Sequence, residues 1–139
     1  MPTLYRTDWV LEQAPKQPPS SRTDEIAKAR ATAHDHVRRA IEAGIPIAFG
    51  TDSSAYPDGL NARELSVLVK LGLSPLEAIR AATIPAAQLL GLEPQVGALE
   101  PGKRADMVAV DGDPLRDVTV LERVNFVMKE GEVVKSSQR

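Results

Sequence analysis

The chain has 139 residues, a formal net charge of −2 and no cysteine. That length suits one domain with a real core, and the absence of cysteine excludes disulfides, thiolate metal sites and cysteine nucleophiles. The charge balance argues against a nucleic-acid partner, which needs clustered Lys and Arg, no apolar run approaches the roughly 20 residues of a membrane helix, and the N-terminus lacks a secretory pattern, so the expected location is cytoplasmic and no membrane partner is expected. Aromatic content is only 4%, so aliphatic side chains must fill the core, as they do where helices pack on a parallel sheet.

Residues 1–5 are expected to form a short strand. Residues 14–20, "APKQPPS", read as an irregular connection. A long helix follows, capped by Ser21 or Thr23, with Asp24 and Glu25 at the positive end of its dipole. Ile26, Ala29, Ala33, Val37, Ala40 and Ile41 form its apolar stripe, and Gly44 ends it. Residues 45–50, "IPIAFG", read as a buried strand with Pro46 tolerated at its beginning. It runs into Thr51, Asp52 and a loop with a Pro-Asp-Gly turn.

Residues 61–71 are expected to be helical, stopped by Gly72. The next helix opens with Ser74 as cap, Pro75 in its first turn and Glu77 in capping-box position. Pro85 predicts a break near Thr83 and a second short helix ending at Gly91. Beyond it, the aliphatic run 107–110 and the stretch 126–135 read as strands, the latter a hairpin turning at Glu130-Gly131. The last four residues are expected to fray.

The phrases "MPTL" (1–4), "AGIPIAFGTDSS" (43–54), "NARELSVLVKLGLSPLEAIRAATIPAAQLLGL" (61–92), "GALEPGKRADMVAVDGDPL" (97–115) and "VMKEGEVVK" (127–135) together resemble the C-terminal part of the metal-dependent amidohydrolase superfamily. The nearest resemblance is to its imidazolonepropionase-like and Xaa-Pro dipeptidase-like members. The resemblance implies an α/β fold: a partial (β/α)₈ barrel, its last two βα units, followed by C-terminal strands of a small β-sandwich. Residues 1–92 would be the barrel part, with 1–5 and 45–50 as its seventh and eighth strands, and 93–139 the sandwich part. Asp52 then falls on the family's aspartate at the end of strand eight, which ligates the metal and acts as general base. A divalent cation, zinc foremost, would lower the pKa of its bound water, and a rigidly held carboxylate would take the proton.

The family's other ligands, a His-x-His on the first strand, a bridging ligand on the fourth and histidines on the fifth and sixth, fall on strands this chain does not contain. A complete barrel needs about 250 residues. His34 and His36 are no substitute: inside a helix this spacing separates them by roughly 200°, so they read as helix-surface residues. Asn61 and Glu64 match a family pattern, yet a helix cap and a solvated first-turn acid explain them equally. Ser53 and Ser54 read as loop residues; Asp106, Asp111 and Asp113 look like a carboxylate cluster, but Asp111 and Asp113 are turn chemistry and a calcium loop needs a denser ligand series; Trp9 reads as a packing anchor.

Three functional readings follow. In the first the chain is the C-terminal fragment of an enzyme hydrolysing C–N bonds in amides, cyclic amides or dipeptides. It would be inactive and hold no tight metal alone, and would need a complementary N-terminal barrel segment. In the second it is a self-associating domain or truncated product without catalysis. The third is a free-standing binding module. Exposed barrel edges and faces predict self-association under the first two.

Overall fold

The computed structural model describes residues 1–16 and 21–137. The chain begins with a helix where the sequence suggested a strand. Residues 1–4 are irregular, Leu4 has αR dihedrals (φ −84°, ψ −35°), and α1 runs Tyr5–Gln13. Period 2 is absent from this stretch, whereas Tyr5 and Trp9 stand one helical turn apart on the buried side. Trp9 packs on the core as expected. The Pro-rich connection is described only to Lys16, as a 3₁₀ turn over Ala14–Lys16; residues 17–20 of that expectation lie outside the described residues.

α2 spans Ser21–Glu42. The expected cap Ser21 has a side chain outside the described residues, and Thr23 lies within the helix. Ala33, Val37 and Ile41 of its stripe pack on a core of Leu4, Tyr5, Tyr56, Val67 and Leu71. Its end is a glycine stop: Gly44 has φ +69°, its N–H donates to the Ile41 carbonyl (2.9 Å), and that of Ile45 donates to Ala40 (3.0 Å).

Residues 45–50 are not a strand. They carry no regular secondary structure and have no ladder partner among the described residues. Phe49 N–H donates to the Ala81 carbonyl at 2.9 Å, and Ile47 and Phe49 pack on the second core cluster of Leu65, Leu68, Ala78 and Val118. The apolar pattern thus held for the second half of the segment, where Ala48 is buried, but not for Ile45, which is 56% exposed, and a strand exists only where a neighbour supplies hydrogen bonds. The residue 1–4 segment lies alongside without pairing, its Met1 side chain so close over Gly50 that a Cβ there would sit 2.5 Å from Met1 Cγ.

α3 (Arg63–Lys70) buries Leu65, Val67 and Leu68. α4 (Pro75–Ala81) begins with the full capping box: Ser74 Oγ accepts from Glu77 N–H, and the Glu77 carboxylate accepts from Ser74 N–H. That bonding holds the Glu77 carboxyl below its usual range. The helix breaks at Thr83, and α5 (Ile84–Leu89) carries Pro85 in its first turn and stops before Gly91.

The C-terminal part forms one antiparallel sheet in the order β1-β2-β3: β1 Met107–Ala109, β2 Phe126–Lys129 and β3 Glu132–Ser136. Glu130 (φ 51°) and Gly131 (φ 86°) make the predicted hairpin turn, since two positive φ values match the right-handed twist of the strands. A 3₁₀ helix over Val118–Arg123 packs Val118 into the second core cluster. Fraying does not start four residues from the end: Ser136 closes β3, and Ser137 N–H donates to the Asn125 carbonyl at 2.9 Å. The last two positions of that expectation lie outside the described residues.

Candidate functional site around Asp52

Asp52 lies two residues beyond the 45–50 segment and adopts left-handed dihedrals (φ 48°, ψ 49°). Few residues besides glycine, asparagine and aspartate tolerate this conformation. A 3₁₀ turn over Ser53–Ala55, which contains the two serines, leads away from it. The Asp52 side chain is 49% exposed, and its Oδ2 lies 3.4 Å from Arg6 Nη1. The backbone just before it is tied down from the other side, where the Tyr56 hydroxyl donates to the Thr51 carbonyl at 3.3 Å.

Below this loop sits a buried acid. Glu64 is fully buried, so it is not the solvated first-turn acid that its position in α3 suggests. Its Oε1 accepts from Leu4 N–H (2.9 Å) and its Oε2 from Tyr5 N–H (2.6 Å). Burial pushes its pKa up; the two backbone donors oppose that rise and the Asp8 charge adds to it. Helical spacing carried the missed signal, because Val67, Leu68 and Leu71 lie three, four and seven residues on and share the buried face. Nor does Asn61 cap α3: the cap is Ala62, without a side-chain bond, and Asn61 contributes only its carbonyl, to Glu64 N–H at 3.2 Å.

Tyr5 and Tyr56 meet edge to face with centroids 5.1 Å apart. Arg63 Nη1 donates to the Tyr5 hydroxyl at 2.7 Å while its guanidinium lies over the Tyr5 ring. Burial raises the pKa of both tyrosines, so they stay neutral donors near neutral pH.

His36 is exposed as expected, but His34 is not a surface residue, since its side chain is only 12% exposed. It is folded under α1, where Arg30 Nε donates to Asp8 Oδ1 and His34 Nε2 lies 3.1 Å from the same oxygen without hydrogen-bond geometry. Burial lowers its pKa, against the pull of Asp8. The acids of the C-terminal part do not converge on a cation either. Asp106 accepts from Lys129 Nζ (2.6 Å) and Glu130 N–H (2.7 Å), chiefly Lys129 holding its carboxyl below the usual range. Asp113 Oδ1 accepts from Leu115 N–H within a turn (2.9 Å). Among the described residues no group of three His, Asp or Glu side chains is placed to hold a metal. A catalytic divalent metal takes about three protein ligands and an open position. Among the described residues Asp52 has no such companions.

The model of the amidohydrolase family matches residues 12–134. The chain belongs to the amidohydrolase family. Among relatives of this amidohydrolase chain, ochratoxinase from Aspergillus niger is 40% identical over 117 residues, 78% of this chain and 24% of that protein. Imidazolonepropionase from Geobacillus kaustophilus is 38% identical over 105 residues, 70% of this chain and 24% of that protein. The chain therefore spans about a quarter of the length of the curated relatives it matches. In structure it superposes on a Xaa-Pro dipeptidase crystallised with methionine in the active site, with TM-score 0.88, 35% identity and coverage of 98% of this chain and 34% of the dipeptidase. The crystal structure of Aspergillus niger ochratoxinase matches 94% of this chain and 31% of its own, with TM-score 0.74 and 34% identity.

Proposed function

We propose that this chain is the C-terminal part of a metal-dependent amidohydrolase that cleaves C–N bonds in amides, cyclic amides or dipeptides. In this reading residues 1–92 belong to the closing βα units of a (β/α)₈ barrel, and 93–139 to the composite sandwich. Asp52 is the metal-ligating carboxylate and general base. The observation that carries the reading is the position of Asp52: a left-handed aspartate closing a segment whose second half, residues 47–50, is turned into the core, in a chain that superposes over 98% of its length on a Xaa-Pro dipeptidase. When bound, a divalent cation, zinc foremost, supplies Lewis-acid activation of water. The chain's own part is to hold one carboxylate at a fixed place and to accept a proton there. The likeness to a prolidase solved with N-methylphosphonate-L-proline, 27% identical over 98% of this chain, supports an amide or dipeptide as substrate.

Alone, the chain is inactive and binds metal below stoichiometry, because one carboxylate cannot replace three ligands. Co-expression with an N-terminal barrel segment that carries the missing histidines is expected to give stoichiometric metal and hydrolysis of a dipeptide or cyclic amide. Asp52→Asn in that assembly is expected to lower turnover by about 10²-fold or more. Stoichiometric metal on the isolated chain, or full turnover in the Asp52→Asn assembly, overturns the reading.

A second reading, self-association without catalysis, is favoured by exposed apolar side chains. Ile45, Leu89, Leu90, Leu99 and Val134 are all more than half exposed, a surface that calls for a partner.

A further inference from the structure

We propose that Glu64 is a positioning residue for Asp52, its buried carboxylate clamping the Leu4–Tyr5 backbone and so placing the two groups that hold the Asp52 loop. The inference rests on the reading of Asp52 as the metal-ligating carboxylate and adds how that carboxylate is held.

Two facts set Glu64 apart from a helix cap. Leu4 is the N-cap of α1 and makes no side-chain cap bond, and a Ser, Thr or Asp at that position would satisfy the end of the helix locally. The acceptor comes instead from α3, 60 residues away in sequence from Leu4. A carboxylate with both oxygens engaged by successive N–H groups fixes direction as well as distance, so the Leu4–Tyr5 peptide is locked to α3. A buried carboxylate is also a costly means of stability, since an apolar residue of similar size avoids the desolvation.

The clamped peptide has two outlets, both at Asp52. Arg6, the next residue, reaches Asp52 Oδ2 at 3.4 Å. Tyr5 presses edge-on against Tyr56 at 5.1 Å, and Tyr56 donates to the carbonyl of Thr51, immediately before Asp52, at 3.3 Å. One arm therefore touches the carboxylate and the other its backbone. Asp8 of α1 and Tyr56 are the titratable groups electrostatically coupled to Glu64.

The test is backbone NMR and amide exchange on the whole chain, comparing wild type with Glu64→Gln, Glu64→Asp and the remote control Glu100→Gln. Glu64→Gln is expected to lower Leu4 and Tyr5 amide protection by about tenfold or more, the effect of leaving a buried donor without its acceptor. It should also shift the resonances of Arg6 and residues 51–56 while leaving β1–β3 in place; Glu64→Asp should restore part of both effects, and Glu100→Gln should do neither. Loss of protection at Leu4 and Tyr5 with residues 51–56 unmoved makes Glu64 a cap alone and overturns the proposal. Should Glu64→Gln not fold, Glu64→Asp decides on the same two readouts: loss of Leu4 and Tyr5 protection together with shifts at residues 51–56 supports the clamp, and loss of protection with residues 51–56 unmoved overturns it. The reading of Asp52 fails independently, if Asp52→Asn keeps full metal content in the reassembled enzyme while the clamp signals persist.

Discussion

At Glu64 the local sequence and the folded environment pull in opposite directions. Position in the first turn of a helix favours an exposed, ionised acid, whereas α3 turns this face into the core and burial raises the pKa. The folded state therefore binds a proton at Glu64 more tightly than the unfolded chain does. Stability from this group is fully present below the ordinary carboxylate range and is lost as pH rises through the raised value. Urea midpoints measured between about pH 4 and pH 7 should fall more steeply for wild type than for Glu64→Gln, and parallel curves would contradict the assignment. At fixed pH Glu64→Gln is expected to cost about 1–3 kcal/mol, because the amide offers one acceptor and leaves a buried N–H unpaired. His34 teaches the same lesson in milder form: the heptad-like stripe names the buried face of α2, but whether a flanking residue is covered depends on α1 crossing above it.

Among the elements, those written in local chemistry emerged as read. The capping box at Ser74 and Glu77, the break before Pro85, the Gly44 stop and the Glu130-Gly131 turn each depend on residues within a few positions of one another. Ser74→Ala is expected to lose about 1 kcal/mol in chemical denaturation, the usual value of an N-cap. Gly97 and Gly44 make a paired test, for both have positive φ (95° and 69°). A Cβ at Gly44 meets nothing within 4 Å, while one at Gly97 would lie 2.8 Å from Ala87 Cβ and 3.2 Å from the Thr83 carbonyl oxygen. Gly44→Ala should cost about 1 kcal/mol of backbone strain. Gly97→Ala should add about 1–3 kcal/mol for the clash between α5 and the loop that follows. Equal losses would mean that the loop shifts freely. The elements misread were α1 and the 45–50 segment, whose state depends on distant partners: the acceptors of Glu64 for one, a neighbouring strand for the other.

For the whole molecule, the decisive quantity is surface left uncovered. β1 and β3 are both sheet edges, and Val133 and Val134 on β3 are more than half exposed. Ile45 lies open at the start of the 45–50 segment, which itself has no ladder partner among the described residues. Unpaired backbone and apolar side chains of this kind recruit another chain. Sedimentation velocity at micromolar concentration is expected to show species larger than a monomer. Addition of the complementary barrel segment should replace them with a one-to-one complex. A compact monomer unaffected by that segment would count against both the fragment reading and self-association.

The sequence by itself determined the family likeness, the helices from α2 to α5, the C-terminal hairpin and the place of Asp52 in the chain. Each of these is carried by short-range chemistry: caps, breakers, turn residues and period. The tertiary structure alone decided that residue 5 begins a helix, that 45–50 is not a strand, and that Glu64 and His34 are covered. It alone brought Arg6, Tyr5 and Tyr56 around Asp52. These outcomes depend on contacts between residues some 26 to 60 positions apart, and the energy of such contacts appears in no local window of the chain.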